Sequence, residues 1–347
     1  MTATEERHDA ADLPTKGEPL VRVEHLVKHF PITKGFFRRT VGQVRAVDGV
    51  SFSIGRGETV GLVGESGSGK STVARMVTRL MKPTSGSIDF DGRDLATISN
   101  RDLRPLRRKM QMVFQDPFSS INPRMTILDA ISEPLVTHKI ATSRAARRAR
   151  VGELLELVGL APNDMSKYPH QFSGGQAQRI GIARALATHP DLIVCDEAVS
   201  SLDVSVQAQV LNLLRRLQRE LNLSYLFIGH DLNVVRYISD RVFVMYMGEL
   251  VEAGPADALM GNPLHPYTEA LIGAIASAEY SADGHHRAVA RGEIPSPSNP
   301  PKGCRFHTRC PQVFDRCNQD APKLFQIGED RVAHCHLREE MGVPVDA

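Results

Sequence analysis

The octapeptide Gly64-Glu65-Ser66-Gly67-Ser68-Gly69-Lys70-Ser71 constrains this chain more than any other segment. It fits the pattern G-x-x-x-x-G-K-[ST], and its surroundings are those the pattern needs. The apolar run Thr59-Val60-Gly61-Leu62-Val63 before it reads as a buried strand, and Ser71 to Met81 after it reads as a helix. Glycines let the backbone wrap a phosphate group with no Cβ in the way. Successive amide N–H groups then point inward, and the helix N-terminus adds a positive dipole. Lys70 would reach the β- and γ-phosphates of such a ligand, Ser71 would ligate Mg²⁺, and the loop from Gly64 through Thr72 forms the cradle. A glycine-rich turn without a ligand is the alternative. The strand before, the helix after and the Lys-Ser pair speak against it.

The bulk composition sets outer limits. With 347 residues, the chain has room for one large domain plus an appendage, or for two domains. A net charge of +2 argues against nucleic acid as the main partner. The basic clusters at Lys34 to Arg39, Arg104 to Lys109 and Arg144 to Arg150 read as solvated loops or helix faces. No apolar run is long enough to span a bilayer. Residues Met1 to Glu18 lack the apolar core of a secretion signal and read as a disordered tail, with the chain expected in the cytoplasm. Five cysteines without a signal argue against a disulfide framework.

Leu20 to Phe30 and Ala46 to Ile54 alternate like strands, with a basic excursion from Lys34 to Gln43 read as a long hairpin loop. Gly86 to Gly92 looks like another strand and turn. From Ser99 to about Pro169 the pattern turns mostly helical, and Val151, Leu154, Leu155, Val158 and Leu160 form its clearest stripe. Strand and helix then alternate: a helix over Gly175 to Thr188, a strand at Leu192 to Cys195, a helix over Val206 to Leu221 and a strand at Leu226 to Ile228. The last helix carries Val210, Leu213, Leu214, Leu217 and Leu221 on one face. This alternation implies an α/β fold with a parallel sheet covered on both faces, into which a helical block is inserted. The tail after Gly254 changes character, with a Pro-Ser-Asn linker at Pro295 to Pro301.

Three further segments answer the phosphate loop. Leu192-Ile193-Val194-Cys195-Asp196-Glu197 is an apolar strand ending in two acids. Asp196 suits coordination of Mg²⁺, and Glu197 suits polarisation of an attacking water. Ser173-Gly174-Gly175-Gln176 opens a helix with two glycines and can present bare N–H groups to an anion. One triphosphate does not need two such nests, so the second suits a nucleotide held by another subunit. His230 follows the strand Phe227-Ile228-Gly229 and suits a γ-phosphate contact, against the plainer reading of a satisfied histidine at a strand end.

In this order, these segments resemble the ATP-binding subunit of an ABC transporter. The resemblance implies a RecA-like core, an antiparallel β subdomain and an inserted α-helical subdomain. It implies ATP and Mg²⁺ as ligands. Gln115, in Phe114-Gln115-Asp116-Pro117, matches the family's glutamine that senses γ-phosphate and Mg²⁺, and Ser201-Leu202-Asp203 matches its D-loop, with Asp203 facing nucleotide. Phe30 is the candidate for stacking on adenine, His29 is its rival, and a plain core phenylalanine is the remaining alternative. A finer resemblance covers nearly the whole chain from about residue 20. Phe114 to Met125, Asn262 to Thr268 and Gly292 to Pro311 are similar to the dipeptide/oligopeptide (nickel) importer ATPases, and the 34–43 excursion favours the second of that family's two paralogous ATPases. Two positions depart from the family's habit: Ala198 stands in place of proline, and Ser201 in place of alanine.

The implied organisation is a tail at 1–18, a nucleotide-binding domain at 19–254 with a helical part at about 99–170, and an extension at 255–347. The implied partners are two membrane permeases, a paralogous ATPase or a second copy, and an external solute-binding protein. The implied location is peripheral, on the cytoplasmic face of the cell membrane. A soluble relative acting on DNA or ribosomes fits less well, since there is one cassette, no long heptad segment and near-neutral charge. A regulatory module without turnover is opposed by Glu197 and His230.

Cys304, Cys310, Cys317 and Cys335 are spaced C-x5-C-x6-C-x17-C, unlike the paired C-x2-C of common zinc sites. The resemblance carries a [4Fe–4S] cluster to all four, with Zn²⁺ or unconnected reduced thiols as alternatives. Cys195, inside an apolar strand, reads as a small buried hydrophobe.

Overall fold

A computed structural model describes residues 13–35, 39–118, 120–278 and 292–345. Of the segments read from sequence, residues 1–12 of the tail and 36–38 of the basic excursion lie outside the described residues. In chain order, β1 (Pro19–Lys34) and β2 (Arg39–Gly55) lead to β3 (Thr59–Val63), α1 (Lys70–Val77), β4 (Ser85–Phe90) and β5 (Arg93–Asp94). Next come α2 (Asn100–Arg107), β6 (Met110–Val113), α3 (Ile127–Thr137), α4 (Arg144–Leu157), α5 (Gly174–Leu186), β7 (Leu192–Asp196), α6 (Val204–Leu221) and β8 (Ser224–Gly229). The chain continues through α7 (Leu232–Ile238), β9 (Arg241–Tyr246), β10 (Glu249–Pro255), α8 (Ala256–Gly261) and α9 (Pro266–Ala278). It closes with α10 (Asp315–Gln319), β11 (Leu324–Ile327), β12 (Arg331–Ala333) and β13 (Val343–Val345).

Two compact units result. One holds Met1–Gly55, Thr59–Thr97 and His230–Ala347; the other holds Arg56–Glu58 and Ile98–Gly229.

In the first unit, β2, β1, β4 and β5 form an antiparallel sheet in that order. The hairpin of β1 and β2 stays paired to its end, with Pro31 opposite Gln43, Thr33 opposite Thr40 and Lys34 opposite Arg39. The excursion read as a long loop is therefore mostly ladder. Ile32, Thr33, Thr40 and Val41 supply β-branched residues there, while polar neighbours and a register shift after Ile32 blur the alternation. Elsewhere in this unit β3 runs parallel to β9, and β10 runs antiparallel to β9. Both β3 and β9 are buried along their whole length, as near-continuous apolar runs in a covered sheet must be. Helix α1 stops at Val77, short of the expected Met81. Arg79 adopts a left-handed backbone (φ 53°), and its Nε donates to the Leu95 carbonyl at 2.7 Å.

The C-terminal residues complete the first unit. Strand β12 pairs with β10 through Glu252 opposite Ala333, and β11 pairs with β12 and β13. This covers a row of backbone groups on β10 that would otherwise be open to pairing. Glu252 is buried and accepts the N–H groups of Leu264 (2.9 Å) and His265 (2.8 Å) and an Arg331 N–H at 3.0 Å. Burial pushes its carboxyl upward, and these donors oppose the push. His265 is buried too, and its Nδ1 accepts the Tyr267 N–H at 3.0 Å. Tyr246 and Tyr267 pack tilted against each other and both edge-on to Phe306, with ring centroids 4.6 to 5.3 Å apart.

In the second unit, β6, β7 and β8 are parallel neighbours. Strand β6 lies inside the segment read as mostly helical. Met110-Gln111-Met112-Val113 is too short to display a period, and so short a mostly apolar segment looks alike in either state. Side-chain oxygens of Ser99, Thr126, Ser143, Ser173 and Asp203 cap α2, α3, α4, α5 and α6. On α4, Val151, Leu154, Leu155 and the following Val158 are fully buried. On α6, Val210, Leu213, Leu214 and Leu217 face the core, but Leu221 is 45% exposed. Asn222 turns left-handed (φ 51°) directly after it and ends the helix, so Leu221 falls off the buried stripe. Helix α5 crosses α6 closely: a Cβ on Gly175 would lie 2.2 Å from Val206 Cγ1.

Two measurements follow from this packing. Gly175→Ala should destabilise the protein by about 1–3 kcal/mol in denaturant titration, and adding Val206→Ala should recover most of that loss by removing the obstructing methyl. The second concerns acid. Burial holds His265 at a pKa of about 3, far below its unfolded value of ~6.5. The unfolded chain therefore takes up this proton first, and stability present above pH ~6.5 is lost as pH falls toward 3. In His265→Gln, the acid limb of Tm against pH should be shallower than in the parent.

Candidate functional site

The phosphate loop is built in the first unit between β3 and α1. Gly64 (φ 152°) and Gly69 (φ 107°) sit where a side chain is both strained and obstructed: a Cβ would lie 2.1 Å from the Met245 carbonyl oxygen and 2.2 Å from that of Ala46. Those two carbonyls press the loop into its curve. The Ser68 carbonyl accepts the Gly248 N–H at 2.9 Å and ties the loop to the β9–β10 turn. Ser66 and Gly67 stand exposed at the crest, while Ser68 and Lys70 are buried. Lys70 Nζ donates to the carbonyls of Gly64 (2.7 Å) and Glu65 (2.9 Å), so the ammonium is held across the mouth of the loop. Ser71 and Thr72 follow on the first turn of α1, half-buried.

Glu65 is held from behind by residues that no spacing rule connects to it. Its carboxylate receives two N–H bonds from Arg309, at 2.7 and 3.0 Å, and its backbone N–H donates to the Tyr267 hydroxyl at 2.8 Å. Tyr267 and Arg309 lie in Asn262 to Thr268 and Gly292 to Pro311, segments that served only as marks of resemblance.

Also in the first unit, Phe30 is half-buried near the end of β1, with Lys28 Nζ 5.3 Å from its ring centroid. Its rival His29 is engaged elsewhere: Nε2 pairs with Asp48 Oδ1 at 2.8 Å. Asp48 also receives Arg305 from the C-terminal segment. Burial pushes the Asp48 carboxyl up, and the hydrogen bonds from Arg305 and His29 outweigh it, leaving a net lowering. His230 is exposed, directly ahead of α7.

The second unit carries the other candidate groups. Asp196 ends β7 and is buried; Glu197 is half-buried and left-handed (φ 51°), a conformation that costs a non-glycine residue energy. The Glu197 N–H donates to the Ile228 carbonyl at 3.0 Å, and its carbonyl receives the Ser200 hydroxyl at 2.9 Å. Gln115 Nε2 in turn donates to Ser200 Oγ at 3.4 Å, and the Ser201 hydroxyl donates to the Gln115 carbonyl at 3.4 Å. Ser201, noted above as a departure, thus has a partner that alanine lacks. Gln115 and Glu197 are joined through one serine.

At the start of α5, Ser173 and Gln176 form a reciprocal cap: Ser173 Oγ accepts the Gln176 N–H, and Gln176 Oε1 accepts the Ser173 N–H at 3.0 Å. The cap takes two of the donors expected to face an anion. The first-turn amides of Gly174 and Gly175 have no acceptor one turn back in the helix. Ser173 and Gln176 are exposed. Asp203 caps α6, accepting the Val206 N–H at 3.0 Å and the Ser205 hydroxyl at 2.8 Å; these donors lower its pKa. That duty accounts for an aspartate at this position without any nucleotide.

The four C-terminal cysteines are unpaired and belong to the first unit. Burial raises the pKa of Cys304, Cys310 and Cys335, to about 12 for Cys304 and about 11 for Cys335, and the charges of neighbouring cysteines add to the rise. Backbone N–H groups of Phe306, Gln312 and Leu337 point at the sulfurs of Cys304, Cys310 and Cys335. Among the described residues, no group of three or more His, Cys, Asp or Glu side chains is arranged to hold a metal ion. Cys195 is fully buried in β7, and burial lifts its thiol to about 12. Among the described residues, no helix is long and apolar enough to cross a membrane.

Comparison with known proteins agrees with this geometry. The ABC transporter family profile matches residues 47–200, and the profile described as "Oligopeptide/dipeptide transporter, C-terminal region" matches residues 251–317. Over 322 residues the chain is 52% identical to Oligopeptide transport ATP-binding protein AppF of Bacillus subtilis (strain 168), covering 92% of this chain and 98% of that protein. It is 51% identical to Probable peptide ABC transporter ATP-binding protein y4tS of Sinorhizobium fredii, covering 92% and 90%. Among solved structures, an ATP-binding cassette captured as a post-hydrolysis dimer with ADP and Pi is similar at TM-score 0.61 and 31% identity, over 68% of this chain and 98% of that one. The protein cbiO1 from Clostridium perfringens, part of the ABC transporter complex cbiONQ, gives TM-score 0.61 at 27% identity, over 71% and 92%. A phosphate loop in one unit and a glycine-opened helix in the other thus sit in a sequence related over 92% of its length to transporter ATPases: the chain belongs to the ATP-binding proteins of the ABC transporter family, in its oligopeptide/dipeptide branch.

Proposed function

We propose that this chain is the ATP-hydrolysing motor subunit of a peptide importer. The observation that carries the reading is the pair of anion nests on one chain, the loop at Gly64 to Thr72 and the start of α5, where Gly174 and Gly175 lie between the exposed Ser173 and Gln176. A chain with two nests for one triphosphate suits head-to-tail pairing. Each ATP would lie between one subunit's phosphate loop and the other's Ser173-Gly174-Gly175-Gln176. Lys70, now satisfied by loop carbonyls, would exchange them for phosphate oxygens, and Phe30 would stack on adenine. Mg²⁺ would be held by Ser71, Gln115 and Asp196, an all-oxygen set that suits this cation, and would neutralise phosphate charge. Glu197 would take the proton of the attacking water and His230 would contact the γ-phosphate. The Gln115–Ser200–Glu197 linkage would report the state of the nucleotide toward the helical block, and Asp203 would act from the facing D-loop.

Because ATP favours the closed pair, binding would close it and hydrolysis would reopen it, which is how a ligand drives a two-state device. The peptide substrate follows from the names of the relatives and from the matching C-terminal region. The partners are two membrane permeases, a paralogous ATPase or a second copy, and an external solute-binding protein. The place of work is peripheral, on the cytoplasmic face of the membrane. Domain limits near 19–254 and 255–347 accompany this reading.

The C-terminal thiols would hold a [4Fe–4S] cluster, with Zn²⁺ as the alternative metal. The chemistry of the donors supports the reading: four unpaired thiols lie in the C-terminal segment, and backbone N–H groups at Cys304, Cys310 and Cys335 oppose the rise that burial causes, although the side chains would have to rearrange to enclose a metal. A bound cluster would supply the positive charge that makes buried thiolates tolerable.

Two experiments test the reading. Glu197→Gln should bind MgATP as the parent does and lose turnover by about 10²–10⁴-fold; unchanged hydrolysis would remove Glu197 from the mechanism. Protein purified without oxygen should be brown, with absorbance near ~400 nm and four irons per chain, whereas colourless protein with stoichiometric zinc would decide for the other metal.

A further inference from the structure

An acidic side chain inside an anion-binding loop needs a reason. Glu65 follows Gly64 directly, and a free carboxylate there would repel the phosphates the loop is shaped to receive. Arg309 meets it with a two-pronged pair, the strong and geometrically specific form of such a contact. The guanidinium is poorly placed to swing away. Its side chain is 8% exposed, and it lies 5.8 Å from the Tyr246 ring centroid and 6.0 Å from that of Phe306. Its hydrogen bonds to Glu65 outweigh burial and keep it charged.

The same residue is held a second time through its main chain. The Glu65 N–H donates to the Tyr267 hydroxyl, and Tyr267 is packed against Tyr246 and Phe306, the rings that flank Arg309. Gly64, Gly67 and Gly69 all have positive φ, so this loop would sample many shapes if left to itself. Pegging side chain and amide of residue 65 to one aromatic box removes much of that freedom before any ligand arrives.

We propose that Arg309 and Tyr267 are positioning residues of the nucleotide site, which act through Glu65 to hold the phosphate loop open for an anion and to cancel the carboxylate charge beside it. The C-terminal region is then a working part of the ATP site. This rests on the reading of Gly64 to Thr72 as that site. It is independent of what the cysteines bind.

The test is a titration of the full chain with MgATP, followed by calorimetry, alongside Tm for each variant. Lys70→Ala checks the underlying reading, and retained affinity in that variant would sink the site assignment itself. With that control in place, Arg309→Ala should weaken MgATP binding by roughly 5- to 100-fold, the usual span for coupling between linked groups. Tyr267→Phe should weaken it less, and Arg309→Lys should fall between Arg309→Ala and the parent. The deciding comparison is a cycle with Glu65→Gln: whatever that change costs by itself, the variant that combines it with Arg309→Ala should bind MgATP more tightly than Arg309→Ala alone, because the uncompensated charge is gone. A merely structural role for Arg309 cannot produce that rescue. Unchanged affinity in Arg309→Ala, or a double variant no better than Arg309→Ala alone, would overturn the proposal.

Discussion

A backbone amide can hold an anion only if nothing in the protein has already claimed it, and the candidate site is organised around that constraint. In the phosphate loop the chain is curved by two close approaches, Gly64 beneath the Met245 carbonyl and Gly69 beneath that of Ala46, while the amides of Glu65 and Ser68 are spent on the Tyr267 hydroxyl and the Glu65 carbonyl. No other residue type fits between those oxygens and the loop. At the start of α5 the constraint is met differently. Ser173 and Gln176 satisfy each other, which leaves the amides of Gly174 and Gly175 as the donors on offer. One nest is made by pressing a loop from outside, the other by capping a helix so that only its middle amides remain unspent.

The acids of the second unit obey a related rule. Glu197 is held in a costly left-handed conformation by a main-chain bond to the neighbouring strand and by Ser200. Such strain persists only where the surroundings over-determine it, which is the condition for a carboxylate that must not drift. Ser200 also receives Gln115, so the glutamine at the edge of the helical block and the glutamate at the strand end share a fastening. The substitution of serine at 201 adds a bond from its hydroxyl to the Gln115 main chain and tightens the same junction.

Much of this was legible in the residues, because local chemistry decided it. The phosphate loop, β7 with its two acids, the stripe on α4 and most of the stripe on α6 are each settled by neighbours in sequence. What sequence reasoning missed has a common cause. Strand β6 is too short to show a period, the outer half of the β1–β2 hairpin owes its pairing to a partner strand, and Leu221 is decided by the turn that follows it. The double hold on Glu65 depends on residues some two hundred and more positions away. Asp203 shows the converse: a helix cap and a nucleotide contact call for the same residue type, so its identity alone could not separate the two.

The pairing of β12 onto β10 has a consequence for how the cysteine lobe can be studied. Cutting the chain after β10 would strip away its neighbour strand and leave the backbone of Glu252 and Ala253 exposed on an open edge. It would also remove Leu264, His265 and Arg331, the donors that hold the Glu252 carboxylate. A truncated protein would therefore report stickiness and misfolding, and its lost activity would say nothing about thiols. The lobe is woven into the sheet, and its chemistry has to be approached one side chain at a time, in the whole chain.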